Sequence, residues 1–274
     1  MRVGANERLD LHIHTSKSDG RLPGPEVLDR AIRGGLNWIA ITDHDATGAI
    51  RPGTHIRPHG TVQVIGGAEI SGAHEGTEFH LLVYFPSEVP ADFLAFCQGR
   101  CQARASRYET GRVNLAIQGI PPADASSRMG ERALTRLHLA QALVEIGHTP
   151  TIQRAFDTHL ASRHGHVPSV ELSFVDAIAI ARAHGGLTSW AHPTPTQAER
   201  HLETFVKAGL QGLEVLRPQM KKSQITRLKN LAKKHNLFIT GGSDWHGWND
   251  PELGKFAVEA QQIRGFLHAL TAAA

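Results

Sequence analysis

Histidines and single carboxylates recur in this chain just after short apolar runs. His12-Ile13-His14 follows Leu9-Asp10-Leu11, and Asp43-His44-Asp45 follows Trp38-Ile39-Ala40-Ile41-Thr42. Glu69 comes after the run 61–65, His192 after the run 186–191, and Asp244-Trp245-His246 after the run 237–240. His80 is the exception, since it lies early within its own run, 79–85. On an extended chain, residues i and i+2 point to the same side. His12 and His14 can therefore reach one cation, and so can Asp244 and His246. One such pair is a weak signal, whereas five clusters at five run ends are hard to explain as unrelated polar residues. Imidazoles left unpaired together would cost desolvation free energy, and a metal cluster would satisfy them. The donors are imidazole and carboxylate without thiolate, which excludes a Cys-type structural zinc site and suits Zn, Mn or Fe in a catalytic role. More donors than one ion needs imply at least two ions, an arrangement suited to in-line displacement at phosphorus.

Such residues meet only if the elements carrying them converge. The apolar runs read as strands and alternate with helical stretches at 25–34, 175–183, 202–208 and 225–235. Strands alternating with helices imply an α/β protein with a largely parallel sheet. In parallel barrels the C-terminal strand ends share one mouth. Seven strand candidates predict a small, distorted seven-stranded barrel. The stretch 92–161 breaks the alternation, being mostly helical in pattern and rich in Arg, with the amphipathic run 134–146. It reads as a helical insertion, leaving 1–91 and 162–274 as the barrel. Arg100, Arg104 and Arg107 recur at helical spacing and read as a solvated basic face. Asp43 and Asp45 flank His44 and read either as partners that orient imidazoles or, for Asp43, as a cap of the next element.

Taken together, the motifs resemble those of the PHP (polymerase and histidinol phosphatase) superfamily. Leu9 to Thr15, Ser18-Asp19-Gly20 and Ala40 to Asp45 look like its opening motifs. Gly67 to Ser71, His80, Ala191-His192-Pro193 and Gly242 to His246 follow its later ones in order. The resemblance implies a distorted barrel with two or three divalent metal ions (Mn, Zn or Fe). It implies that His12, His14, Glu69 and Asp244 hold one ion. Glu69 would bridge to a second ion held with His80 and His192, and Asp19, His44 and His246 would hold a third. Within the insertion, Leu134 to Glu145, Phe156-Asp157 and Val167-Pro168 are similar to a bacterial subfamily that includes 3',5'-nucleoside bisphosphate phosphatases, nucleoside monophosphate phosphatases and 5'-to-3' exoribonucleases acting on short RNA. This chain departs from it at Leu137 and over Arg163-His164-Gly165-His166. By this resemblance Arg136 and His138 become substrate groups. Arg136 offers a planar fork for phosphate, and His138 can bind phosphate or protonate a leaving oxygen.

Composition bounds the partners. The net charge of +3 with neutral His is too small for stable duplex DNA binding and compatible with a small anionic substrate. No uncharged apolar run reaches the roughly 20 residues of a membrane helix, and the first residues lack the apolar stretch of a signal peptide, so a cytoplasmic protein is expected. Cys97 and Cys101 read as ordinary reduced side chains. The 18 histidines exceed the proposed ligands, and His55, His59, His74, His148, His159, His184, His201, His235 and His268 read as surface or loop residues. His164 and His166 read likewise, or as lining the site. The competing functions are a phosphatase for a non-nucleotide metabolite such as histidinol phosphate, and a non-catalytic metal-binding interaction module.

Overall fold

The computed structural model of the protein describes residues 3–122, 132–248 and 250–273. Residues 123–131 of the expected insertion lie outside the described residues. The first strand, β1 (Arg8–Ile13), is buried at all but its first position. It is followed by α1 (Gly24–Arg33), whose buried residues Val27, Leu28, Ala31 and Ile32 form one apolar stripe. Next come β2 (Trp38–Ile41), β3 (Gly53–Arg57), β4 (Gly60–His74) and β5 (Thr77–Phe85). The helices α2 (Ala91–Ile117), α3 (Arg136–Glu145) and α4 (Ile152–Ala155) follow, and α4 runs into a π-helical turn, Phe156–Leu160. Alternation resumes with α5 (Phe174–Ala183), β6 (Leu187–Trp190), α6 (Pro195–Lys207), β7 (Gly212–Leu216), α7 (Lys222–Lys234) and β8 (Phe238–Gly241). The chain ends with β9 (Val258–Glu259) and α8 (Arg264–Ala272).

Among the described residues, nine strands form one sheet in the order β8-β7-β6-β5-β4-β2-β1-β9, with β3 added onto β4. The seven expected strands are all present, and β3 and β9 raise the count. β3 is mostly polar and exposed, and β9 is two residues long, so neither carries an apolar signature. Beyond β8 the chain hydrogen-bonds to β1. Asp244 N donates to His12 O at 2.9 Å, and His14 N donates to Trp245 O at 2.9 Å. These bonds bring the sheet nearly to closure as a barrel.

The pairs β1–β2, β2–β4, β6–β7 and β7–β8 are parallel, whereas β5 is antiparallel to both neighbours. That reversal explains His80. A strand running backwards starts at the rim where the others end, so an early residue of β5 meets the late residues of its neighbours. The β4–β5 register sets Ser71 opposite His80 and Glu69 opposite Leu82.

α6 starts at Pro195, seven residues before the expected Leu202. Thr194 caps it by accepting from Gln197 N, Gln197 Oε1 accepts from Thr194 N in return, and Pro195 occupies the first turn, where its missing N–H costs nothing. The main apolar core lies between the sheet and α5 to α8, a second lies under α1, and a third, around Tyr108, Leu115, Leu139 and Leu143, belongs to α2, α3 and the turns after them.

Candidate metal centre

The eight side chains singled out at the run ends and in β5 meet at one rim with Asp19, which only the family resemblance had named. Glu69 is at the centre. Its Oε1 lies 3.3 Å from His12 Nε2, 3.2 Å from His80 Nδ1 and 3.2 Å from His192 Nε2. Its Oε2 lies 3.3 Å from His14 Nε2 and 2.9 Å from His44 Nδ1. Asp244 Oδ1 approaches His12 Nε2 at 3.3 Å and His14 Nε2 at 3.2 Å. Asp19 closes the far side, 3.2 Å from His246 Nε2 and 3.7 Å from His44 Nε2.

The local backbone makes this gathering possible. Asp45, His192 and Asp244 adopt positive φ of 49°, 35° and 57°, a region that costs non-glycine residues of order 1–3 kcal/mol. Three such residues at one rim imply that the surroundings hold them there. Gly242 passes against β1: a Cβ there would overlap that of His12 and lie 2.5 Å from His12 N.

The ring nitrogens are oriented by partners that can only accept. His12 Nδ1 donates to Glu214 Oε1 at 3.0 Å, and His246 Nδ1 donates to Asp244 O at 2.8 Å. Each ring therefore turns its Nε2 into the cluster. Glu214 Oε2 also accepts from His192 N at 2.7 Å. Glu214 was not anticipated, yet it had a signal: it is the lone charge in the apolar strand Gly212-Leu213-Glu214-Val215-Leu216. Asp43 and Asp45 do not orient imidazoles as proposed. Asp43 accepts from Thr15 N, Thr15 Oγ1 and Ser18 Oγ, which shapes the loop after His14. Asp45 accepts from Ser71 N and pairs with Arg104.

The charges are strongly coupled. Burial opposes ionisation of Glu69, Asp19 and Asp244, but the surrounding imidazoles outweigh it and hold all three well below the usual carboxylate range. Burial likewise opposes charge on His80 and His246, yet Glu69 lifts the first to about 10 and Asp19 lifts the second to about 10. His12 is also pushed up, burial being outweighed by Asp244, Glu69 and Glu214. For His14 and His44 burial wins and lowers the pKa.

Whether the residues suit metal ions can be tested on their unsatisfied atoms. His12 Nε2, His14 Nε2, His44 Nδ1 and Glu69 Oε2 are buried and lack a hydrogen-bond partner. His44 Nδ1 and Glu69 Oε2 are close but not aligned to bond. Buried polar atoms are nearly always satisfied, and here the four orphans point at one another. Donor sets within 4.8 Å include His12, His14 and Asp244; His44, Glu69 and His80; and His14, Asp19, His44 and His246. Divalent cations fit this cluster.

Beside it opens a cleft of about 140 Å³, walled by Asp19, His44 and His80 on one side and by Arg104, Arg107 and Arg136 on the other. Phe156 and Val167 add apolar wall. The expected solvated basic face is therefore wrong. Arg104 is buried, donating Nε to Asp45 Oδ2 at 2.6 Å and Nη2 to Ser71 Oγ at 2.6 Å. Arg107 pairs with Glu78 at 3.1 Å and Arg100 with Asp45 at 3.4 Å. The helix face that carries them packs onto the rim, where those carboxylates wait. Glu78, also unanticipated, lies two residues before His80 on the same face of β5 and 3.6 Å from its Nε2. Arg136 donates to Ser162 Oγ at 3.1 Å and lies 3.7 Å from Glu78. His138 does not line the cleft; its Nδ1 accepts from Thr135 N at 3.0 Å as part of the α3 cap. His164 and His166 also stand outside it, His164 donating to Asp157 O at 2.9 Å.

This barrel, with carboxylates and imidazoles crowded at its rim, defines a metal-dependent phosphoester hydrolase, and comparison with known proteins agrees. Residues 10–109 match the PHP domain. The 5'-3' exoribonuclease Rnm of Escherichia coli is 31% identical over 253 residues, covering 86% of this chain and 84% of that protein. The 3',5'-nucleoside bisphosphate phosphatase of Chromobacterium violaceum is 29% identical over 252 residues, 87% of each chain. A solved structure from Bifidobacterium adolescentis, described as a metal-dependent phosphoesterase, superposes with a TM-score of 0.79 at 26% identity, covering 98% of both chains. The chain belongs to the PHP family of metal-dependent phosphoesterases.

Proposed function

We propose that the protein hydrolyses nucleotide phosphomonoesters, a 3',5'-nucleoside bisphosphate or a nucleoside monophosphate, and acts on the 5' ends of short RNA. The observation that carries this reading is the cleft itself, with three arginines in its wall beside the carboxylate–imidazole cluster. We assign His12, His14, Glu69 and Asp244 to one ion, Glu69 with His80 and His192 to a second, and Asp19, His44 and His246 to a third. The convergence of these donors supports the grouping. Two or three divalent ions (Mn, Zn or Fe), when bound, supply charge neutralisation at the phosphoryl oxygens and an activated water.

The chain's own groups do the rest. Arg136 offers a bidentate fork to the phosphoryl oxygens, and Glu78 and Ser162 hold that fork in place. Arg104 and Arg107 keep the cleft positive while their own carboxylate partners fix them. With Nδ1 of His138 accepting from Thr135, its proton sits on Nε2. From outside the cleft wall, that N–H would reach the phosphate only if the ring turns towards the cleft. Protonating the departing ester oxygen would need the imidazolium form, so in the neutral form His138 serves as a hydrogen-bond donor and the departing oxygen takes its proton from water. The apolar wall around Phe156 and Val167 suits the face of a base or sugar.

The test is a panel of a nucleoside 3',5'-bisphosphate, nucleoside monophosphates, a short 5'-phosphorylated RNA and histidinol phosphate, each with Mn, Zn or Fe. Nucleotide substrates are expected to turn over, with activity abolished by chelator and in Asp244→Asn and Glu69→Gln. Metal-independent turnover would overturn the mechanism. Phosphate release from histidinol phosphate alone would transfer the reading to the metabolite phosphatase.

A further inference from the structure

We propose a second metal site, separate from the barrel mouth, formed by His74, Glu75 and His201 and suited to a borderline divalent ion such as Zn²⁺. His74 ends β4, Glu75 opens the turn into β5, and His201 projects from α6. One donor atom from each lies within 4.8 Å of the others. A tetrahedral ion with bonds of about 2.1 Å holds its donors roughly 3.4 Å apart, so the approach required is on the order of 1 Å. His74 stands five residues beyond Glu69, roughly 16 Å along the strand, which separates this set from the central cluster.

His201 carries the argument. It was expected on the surface, yet only 7% of it is exposed. Its ring packs edge-on to Phe79 and is stacked on Phe205, and it faces His74 at 5.3 Å between centroids. Among the described residues these are ring contacts only, and the imidazole has no hydrogen-bond partner. Its ring nitrogens still reach solvent, which leaves them open to an ion. Burial, reinforced by the neighbouring Arg200, lowers its pKa and favours the neutral form that binds metal.

Glu75 is placed as a carboxylate ligand would be. Its Oε2 pairs with Arg200 at 2.6 Å while its Oε1 faces His74 Nε2 at 3.8 Å. The Arg200 contact orients the group and leaves one oxygen free. Glu75 and Gly76 have φ of 48° and 73°, the signature of a two-residue hairpin turn that favours Asn before Gly. Two imidazoles and a carboxylate form an open three-ligand set, and an ion there would clip the β4–β5 hairpin to α6.

The experiment compares the full chain with the double variant His74→Gln/Glu75→Gln, at positions where His74 is partly buried and Glu75 exposed. Both are saturated with Zn²⁺, freed of excess, and analysed for metal per chain by elemental mass spectrometry. The variant is expected to hold one equivalent fewer, with turnover unchanged. Zinc at 100-fold its Kd is expected to raise Tm of the parent by roughly 5–10 °C through this site, a gain missing in the variant. Equal metal content in both proteins overturns the proposal, whatever the central cluster binds. His201→Asn is the second check: when folded by circular dichroism it loses the same equivalent, and retention of that equivalent overturns the site.

Discussion

At the scale of single residues, the cluster depends on groups that never touch substrate. Glu214 holds His12 through one carboxylate oxygen and the backbone of His192 through the other. Removing such a partner of a ligating imidazole lowers metal affinity about 10–100-fold. Glu214→Gln, which keeps the shape and loses the charge, is therefore expected to need 10–100 times more metal for half-maximal activity, with an unchanged far-ultraviolet circular dichroism spectrum. Arg136 acts on substrate instead. A hydrogen bond to a charged group contributes about 1.5–3 kcal/mol, so Arg136→Ala is expected to lower kcat/KM by roughly 10–100-fold. Arg136→Lys should recover little, because an ammonium cannot match the fork. Steady-state kinetics on a nucleotide substrate at fixed metal check both changes.

Individual elements are joined to the rim by a few buried contacts. The helix α2 is fastened through Asp45, which holds Arg104 and Arg100, and through Glu78, which holds Arg107. Removing one partner of a buried ion pair strands the other, at a cost of roughly 3–5 kcal/mol. Asp45→Asn is expected to lose about that much in urea unfolding. Its pH dependence has a definite sign. Burial raises the Asp45 pKa, but Arg104 and Arg100 outweigh this and lower it. A depressed folded pKa contributes stability that is full above the unfolded value of about 3.9 and fades as pH falls through the folded one. The gap between parent and variant should therefore be constant near pH 7 and close below about pH 4. The turn after β8 is equally constrained. Gly242→Ala would drive a methyl group into the backbone of His12, displacing β1 or the Asp244 loop. Loss of metal binding is expected before loss of the fold, and metal content per chain measures it.

For the molecule as a whole, the barrel brings acids and imidazoles from across the chain into one electrostatic unit. His80 and His246 are raised to about 10 and His12 well above its ordinary value, so protons sit on nitrogens that a cation needs. A cation competes with those protons for the same lone pairs. Metal affinity should rise with pH through the neutral range, by up to about tenfold per unit for each proton displaced, and fall in acid. Calorimetric titration with Mn²⁺ in buffers of different ionisation enthalpy is expected to register proton release on binding. Buffer-independent heats would contradict it. No helix among the described residues is long and apolar enough to cross a membrane.

The sequence by itself pointed to eight of the nine clustered side chains and to the strands on which they sit. Both are local properties: an apolar run marks a buried strand, and the polar residue after it marks a rim. It also determined the limits of α1 through Pro25 and Gly34. Only the tertiary structure decided which donors share an oxygen of Glu69, that β5 runs backwards and so delivers His80, and that the arginines of α2 are paired rather than solvated. Periodicity reports the neighbours a residue has along its own element. It carries nothing about a contact such as His12 with Glu214, 202 residues apart, which exists only because the nearly closed sheet brings β1 and β7 to the same rim.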